Sequence, residues 1–221
     1  MSAIKSIDMS GYSNNIERVN AVLKAVFGVT VEKLTNATTT IFGNIPVSLR
    51  YESGGEGTYY LCVAEDDKSY RKIIDLCCLK SSIVYFVAGN EYASIWGSNS
   101  SDYRNAIVKI SDDTYISGIN EYLLKVNDTS VKLTKLESNG CWPREGDDSY
   151  VDGVVLLLFH VSSEKEQNFV SDRCYFVTRA GDKLMPRSEV TVGDETYIIL
   201  TQGWYVLYSY SSGFNLAVKK E

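Results

Sequence analysis

The stretch Gly153-Val-Val-Leu-Leu-Leu-Phe-His-Val161 decides the fold. It is the longest apolar run in the chain. Polar turn material bounds it, Glu145-Gly-Asp-Asp-Ser149 before and Ser162-Ser-Glu-Lys-Glu166 after. A membrane-spanning helix needs about 20 apolar residues, so this run is too short to cross a bilayer. Two adjacent valines open it and Phe159 stands near its end. Branched and aromatic side chains in so short a run favour a strand covered on both faces over a buried helix. Its expected place is the centre of a β core.

Working outward, the same grammar repeats. Val47 to Tyr51 alternates, turns at Ser53-Gly-Gly-Glu-Gly, and meets Thr58 to Ala64 as a hairpin partner. Ile73 to Leu79, Ile83 to Val87 and Tyr92 to Trp96 follow as strands. Ala106 to Ile110 and Thr114 to Ser117 flank Asp112-Asp113. Tyr122 to Val126 and Val131 to Leu136 make a hairpin across Asn127-Asp-Thr, with one face wet. Val29 to Leu34 and Thr38 to Gly43 read as two further β segments. Near the end, Cys174 to Thr178 opens the last sheet portion. Thr196 to Leu200 is expected to pair with Trp204 to Tyr208 across Gln202-Gly203, and Phe214 to Val218 closes the chain. Short strands between frequent turns predict an all-β fold, a sandwich or barrel built as one unit or as two small ones.

One amphipathic α-helix precedes this region. Ser13 is its expected cap, Glu17 puts negative charge in the first turn, and Gly28 ends it. Ile16, Val19, Leu23 and Val26 form a heptad seam with Tyr12, widened by Val22 and Phe27. The seam either packs on the chain's own β region or associates with other copies, which makes Ile16, Val19, Leu23, Val26 and Phe27 interface candidates. The expected organisation is residues 1–45 as arm, helix and Thr-rich connector for docking or oligomerisation, then residues 46–221 as the β region. The strand-poor stretch at 138–149 is the expected seam within it.

Composition narrows the function. The net charge is −6, from 22 basic and 28 acidic residues spread without a basic block, which argues against a phosphate-tracking groove and so against nucleic acid. With 44% hydrophobic and 23% charged residues the chain is expected to be ordered throughout most of its length. The 16 Tyr outnumber 7 Phe and 3 Trp, which suits sheet surfaces and recognition faces. Cys62, Cys77, Cys78, Cys141 and Cys174 match no zinc spacing. They read as free thiols in a reducing compartment, with Cys77 and Cys78 on opposite faces of a strand. No signal peptide is expected from the polar first residues.

Catalytic patterns are missing. His160 is the one histidine, inside the central run, without a nucleophile motif beside it. Asp66-Asp67, Asp112-Asp113 and Asp147-Asp148 sit among turn residues and read as turn formers. Glu52-Ser-Gly-Gly-Glu-Gly carries acid where a phosphate-cradling loop carries Lys. No enzyme activity, cofactor or metal is expected. Aromatics near loops remain: Tyr92, Trp96 and Tyr103 around Gly97 to Asp102, and Trp204 with Tyr208 on one strand face. They either fill the core or stand exposed to bind a glycan or receptor.

The polar arm and heptad-like helix (Ser13 to Phe27), the segment Thr38-Thr-Thr-Ile-Phe-Gly and the long Tyr/Ser/Asp/Gly-rich β region together resemble the layout of bacteriophage virion structural proteins of the fibre, adaptor, collar or capsid-accessory type. That resemblance implies a structural role in a virion, assembly in the host cytoplasm, and contacts with other copies and neighbouring virion proteins.

Overall fold

Polar turns fold the alternating segments onto one another as antiparallel hairpins. The computed structural model describes residues 4–53, 58–65, 69–98, 105–118, 122–127, 130–135, 153–161, 167–178, 188–201 and 215–220, with the backbone alone for 77, 134–135, 153–161, 167–178 and 215. In chain order the elements are β1 Lys5–Asp8, α1 Asn15–Phe27, β2 Ala37–Ile41, β3 Ile45–Glu52, β4 Thr58–Ala64, β5 Tyr70–Asp75, β6 Ile83–Ala88, β7 Tyr92–Gly97, β8 Ala106–Ser111, β9 Thr114–Ser117, β10 Tyr122–Asn127, β11 Ser130–Lys135, β12 Gly153–Val161, β13 Gln167–Thr178, β14 Glu189–Val192, β15 Glu195–Ile199 and β16 Asn215–Lys219. The strands form three sheets, ordered β1-β6-β7-β8-β9-β10-β11, β2-β3-β4-β5 and β12-β13-β16-β15-β14. The chain is therefore all-β with one α-helix among the described residues.

The seven-stranded sheet is the middle layer. Successive side chains on a strand point to opposite faces, and here both faces are apolar. Val84, Phe86, Ala93, Ile95, Ile107, Tyr115 and Leu124 face a core shared with α1 and the four-stranded sheet. Val87, Trp96, Ala106, Val108, Ile116 and Leu123 face a second core, closed by Ile198, Leu200, Leu216 and Val218 of the five-stranded sheet. Residues before and after the 138–149 stretch thus share one buried cluster.

The helix begins where the sequence supplies a cap and ends where it supplies glycine. Asn14, not Ser13, is the N-cap: its side chain accepts from the Glu17 N–H at 3.0 Å. Ser13 instead donates its N–H and hydroxyl to the Glu17 carboxylate, each at 3.0 Å. Gly28 takes φ 71°, a left-handed conformation that closes the last turn. Val19, Val22, Leu23 and Val26 are buried in the first core. Arg18 ties the helix down through Nη1 to the Leu79 carbonyl at 2.9 Å.

Several expectations are corrected. Gly153–Val161 is a strand but lies at the edge of its sheet among the described residues, not at the centre. An apolar run reports cover on two faces, whereas centrality needs hydrogen-bonding neighbours on two edges. Beside these corrections, the extended arm joins the middle sheet: β1 pairs with β6 and Met9 is fully buried. Val29 to Leu34 forms no strand, because the Asn20 amide occupies both backbone groups of Val31, accepting from its N–H at 2.8 Å and donating to its carbonyl at 2.9 Å. Cys77-Cys78 lies in a 3-10 turn, Cys77–Lys80, after β5 ends. β15 pairs with β14 and β16, and its expected partner Trp204 to Tyr208 lies outside the described residues.

Candidate functional site

The open face of the four-stranded sheet gathers tyrosines and cations. Along β3, Ile45, Val47 and Leu49 enter the core, which sends Pro46, Ser48, Arg50 and Glu52 outward. In the register, Arg50 stands opposite Tyr60, and Tyr60 opposite Asp75. An irregularity at Leu61/Cys62 lets β5 bury both Ile73 and Ile74 and sets Lys72 opposite Cys62 and Tyr70 opposite Ala64. Such a bulge re-aims the side chains beyond it. Tyr70 is thereby carried to where Arg50 can reach it across β4.

Rings and cations then pair. The Arg50 guanidinium carbon lies 3.3 Å from the Tyr70 ring centroid, within cation–π range. Lys72 Nζ lies 4.9 Å from the Tyr60 ring and Arg71 lies 6.0 Å from Tyr122. Tyr51 and Tyr59, opposite each other in the register, meet at 5.0 Å on the sheet's other face. Acids hold two of the cations: Lys72 Nζ meets Glu52 at 3.0 Å and Asp75 at 3.3 Å, and Arg71 Nε meets Glu65 at 2.6 Å. Burial pulls the Lys72 ammonium down, but its bonds to Glu52 and Asp75 outweigh this and hold it above the usual lysine value. A shallow depression of about 250 Å³ opens here, lined by Glu52, Tyr60, Tyr70, Arg71, Lys72 and Tyr122. Tyr51 (50% exposed) and Tyr70 (36%) are the exposed large hydrophobic residues among those described.

Beneath Arg50 lies Cys62, buried, with its thiol donating to the Ser48 carbonyl at 3.2 Å. Burial pushes this thiol up, against the opposing charge of Arg50. Burial thus favours the protonated thiol.

The sequence candidates fall elsewhere. Trp96 is 2% exposed and belongs to the second core, so it presents no ring to a ligand. Tyr92 packs half-buried against the same core. Tyr103, Trp204 and Tyr208 lie outside the described residues, as do Asp66-Asp67 and Asp147-Asp148. Val19, Leu23 and Val26 are closed inside the chain's own core. Ile16 and Phe27 remain partly exposed, with the Phe27 ring edge-on to Phe42 at 5.4 Å. A partner reaches the seam only by lifting the helix. His160 lies on β12 opposite Asn168, and its side chain is outside the described residues. Asp113 caps its turn, accepting from Thr114 Oγ1 at 2.7 Å, which holds its carboxyl below the usual range. Among the described residues no three His, Cys, Asp or Glu side chains gather to hold a metal, and no helix is long and apolar enough to cross a membrane.

The Tyr/Arg face escaped sequence inspection because its members come from three strands. The available signal was the outward set of β3 together with the hairpin to Thr58–Ala64, which places Arg50 beside Tyr60. The chain matches no protein-family model, no curated protein and no solved structure.

Proposed function

We propose that the protein is a non-enzymatic structural or assembly component that works through protein–protein contacts, with the open face of β3, β4 and β5 as a contact surface. The observation that carries this reading is the exposed Tyr70 set among stacked cations and acids. Interfaces are enriched in Tyr and Arg, and such residues are where binding energy concentrates. Tyr offers large area with few rotatable bonds, so little conformational entropy is lost on contact. The setting in a phage particle, among other copies and neighbouring virion proteins, is supported by the layout of arm, helix, Thr-rich segment and β region.

A glycan-binding role would use the same depression. Cations lie over the faces of Tyr60, Tyr70 and Tyr122, so a sugar ring would have to displace them before stacking. The contact reading is therefore preferred. Size-exclusion chromatography with light scattering over a concentration series tests it. Association that Tyr70→Ala weakens supports it, and a monomer at every concentration, indifferent to Tyr70→Ala, overturns self-assembly through this face. Glycan-array binding lost on Tyr60→Ala would favour the sugar role instead.

A further inference from the structure

β2 differs from the other sheet edges. An edge strand bonds one neighbour and leaves the N–H and C=O of alternate residues facing away from it. β2 pairs with β3 alone among the described strands, in an unbroken register from Ala37 opposite Leu49 to Ile41 opposite Ile45. Beyond that ladder and the Asn44 N–H bonded to the Ile41 carbonyl, its residues make no hydrogen bond among the described residues. Left-handed Asn36 (φ 52°) and Phe42 (φ 51°) flank it, so the free edge is 5 residues long. Native edges are guarded against pairing by charge, proline, a bulge or a cover. β5, the opposite edge of the same sheet, is covered: Asn105 holds both backbone groups of Asp75, and Ser117 bonds the Ile73 carbonyl at 2.8 Å. β1 carries Lys5 and Asp8, β11 carries Lys132 and β14 carries Glu189. Ala37-Thr-Thr-Thr-Ile41 has none of these guards, alone among the edge strands whose side chains are described.

We propose that β2 pairs with β2 of a second copy of this chain, antiparallel about a two-fold axis at Thr39, so that two four-stranded sheets become one. A two-fold contact uses the same patch on both copies and must be self-complementary. This strand meets that demand. Ala37 falls opposite Ile41 of the second copy, small against large, on the side that both strands bury. Thr38 falls opposite Thr40 of the second copy on the exposed side, and facing threonines favour antiparallel pairing. No like charges are brought together, and Pro46 and Ser48, beside them on β3, are neutral as well. The outward-facing residues of the two strands then exchange about four backbone hydrogen bonds. A foreign strand would gain those bonds without the reciprocal side-chain match. The inference shares the assembly role given above but not its surface, since Tyr70 lies on β5 at the opposite edge of the sheet.

The test is light scattering on the full chain over a concentration series, with amide exchange of β2 read at both ends of the series. The expected result is a monomer–dimer equilibrium in which amides within Thr38 to Thr40 gain protection as the dimer forms. Thr38→Lys combined with Thr40→Lys sets like charges opposite each other twice across the axis and is expected to weaken the dimer by about tenfold. Thr38→Lys combined with Thr40→Glu sets opposite charges there and is expected to restore it. Both positions are exposed, so neither combination burdens the fold. The wild-type exchange decides the question even if a variant fails to fold. A monomer at every concentration overturns the proposal and leaves the edge to a foreign strand. A dimer that tolerates the paired lysines, or whose β2 amides gain no protection, overturns it as well. If Tyr70→Ala abolishes association and the paired lysines do not, the open face is the interface and the edge pairing fails. If the paired lysines abolish it and Tyr70→Ala does not, the edge pairing stands and self-assembly through the open face fails.

Discussion

Replacing Asn105 with alanine should uncouple two of the three sheets. Asn105 is 2% exposed, at the entrance to β8. Its amide accepts from the Asp75 N–H at 2.9 Å and donates to the Asp75 carbonyl at 2.6 Å and the Ile95 carbonyl at 3.3 Å. One side chain thus serves as a hydrogen-bonding neighbour for the end of β5 and joins the four-stranded sheet to the middle one. Asn105→Ala leaves both Asp75 backbone groups without that partner. Each unsatisfied buried group costs about 1–3 kcal/mol, so the pair sums to about 2–6 kcal/mol. Against a total stability of about 5–15 kcal/mol this is a large fraction. At about 2–4 °C per kcal/mol for a chain of this size, Tm should fall by about 4–24 °C. Urea unfolding should show a lower midpoint with an unchanged slope. Asn105→Asp sharpens the test. It keeps the acceptor for the Asp75 N–H but turns a carboxylate toward two carbonyls. Burial raises the pKa of such a carboxyl, so the folded state binds the proton more tightly than the unfolded state. That variant should therefore gain stability as pH falls from neutral toward about 4, the ordinary aspartate range. A loss under about 1 kcal/mol for Asn105→Ala, with no pH dependence for Asn105→Asp, would refute the coupling.

Phe42 holds φ 51°, a left-handed conformation unusual for an aromatic residue, at the tip of the β2–β3 hairpin. Its ring sits between Phe27 at 5.4 Å and Tyr115 at 5.8 Å. Phe42→Ala should cost about 2–3 kcal/mol in urea unfolding, and Phe42→Gly should be less harmful by about 1 kcal/mol, because glycine alone removes the backbone strain. The Glu17 carboxyl, bonded by the Ser13 backbone N–H and then its hydroxyl, titrates below its ordinary value of 4.5. A depressed folded value means its contribution is present above 4.5 and is lost as pH falls through that lower value. Protection of the first-turn amides of α1, measured against their intrinsic exchange at each pH, should therefore fall in acid, and Glu17→Gln should make that protection insensitive to pH over that window.

The hairpins were legible wherever local sequence determines them. Tyr122 to Val126, Asn127-Asp-Thr and the segment from Val131 carry alternation and turn chemistry within fourteen or so residues, about the span of one hairpin. The helix ends were equally readable from polar residues before it and Gly28 after it. The layer order was not. Tyr92-Ala-Ser-Ile-Trp reads as a modest strand, yet it lies in the middle sheet, because its Ser94 hydroxyl is satisfied by the Leu200 carbonyl at 2.6 Å, 106 positions away. Gly153–Val161 has the stronger local signal and the more peripheral place. Hydrophobicity along a segment is a local quantity, and rank within a stack of sheets is set by distant partners. The Arg50–Tyr70 pair was hidden for the same reason, since a bulge two strands away determines which residue of β5 Arg50 meets.

The middle sheet is covered on both sides, and this changes what guards its alignment. A strand with one wet face resists slipping by a single residue because the slip would drown its apolar side chains. On β8 a slip would merely exchange Ala106 and Val108 for Ile107 between two oily compartments. The penalty must come from the few polar atoms buried among them. The Ser117 hydroxyl bonded to the Ile73 carbonyl at 2.8 Å, the Ser94 hydroxyl and the Asn105 amide each reach across to a neighbouring layer. These three modest side chains act as dowels: the greasy positions decide that the layers adhere, and the dowels decide in which alignment.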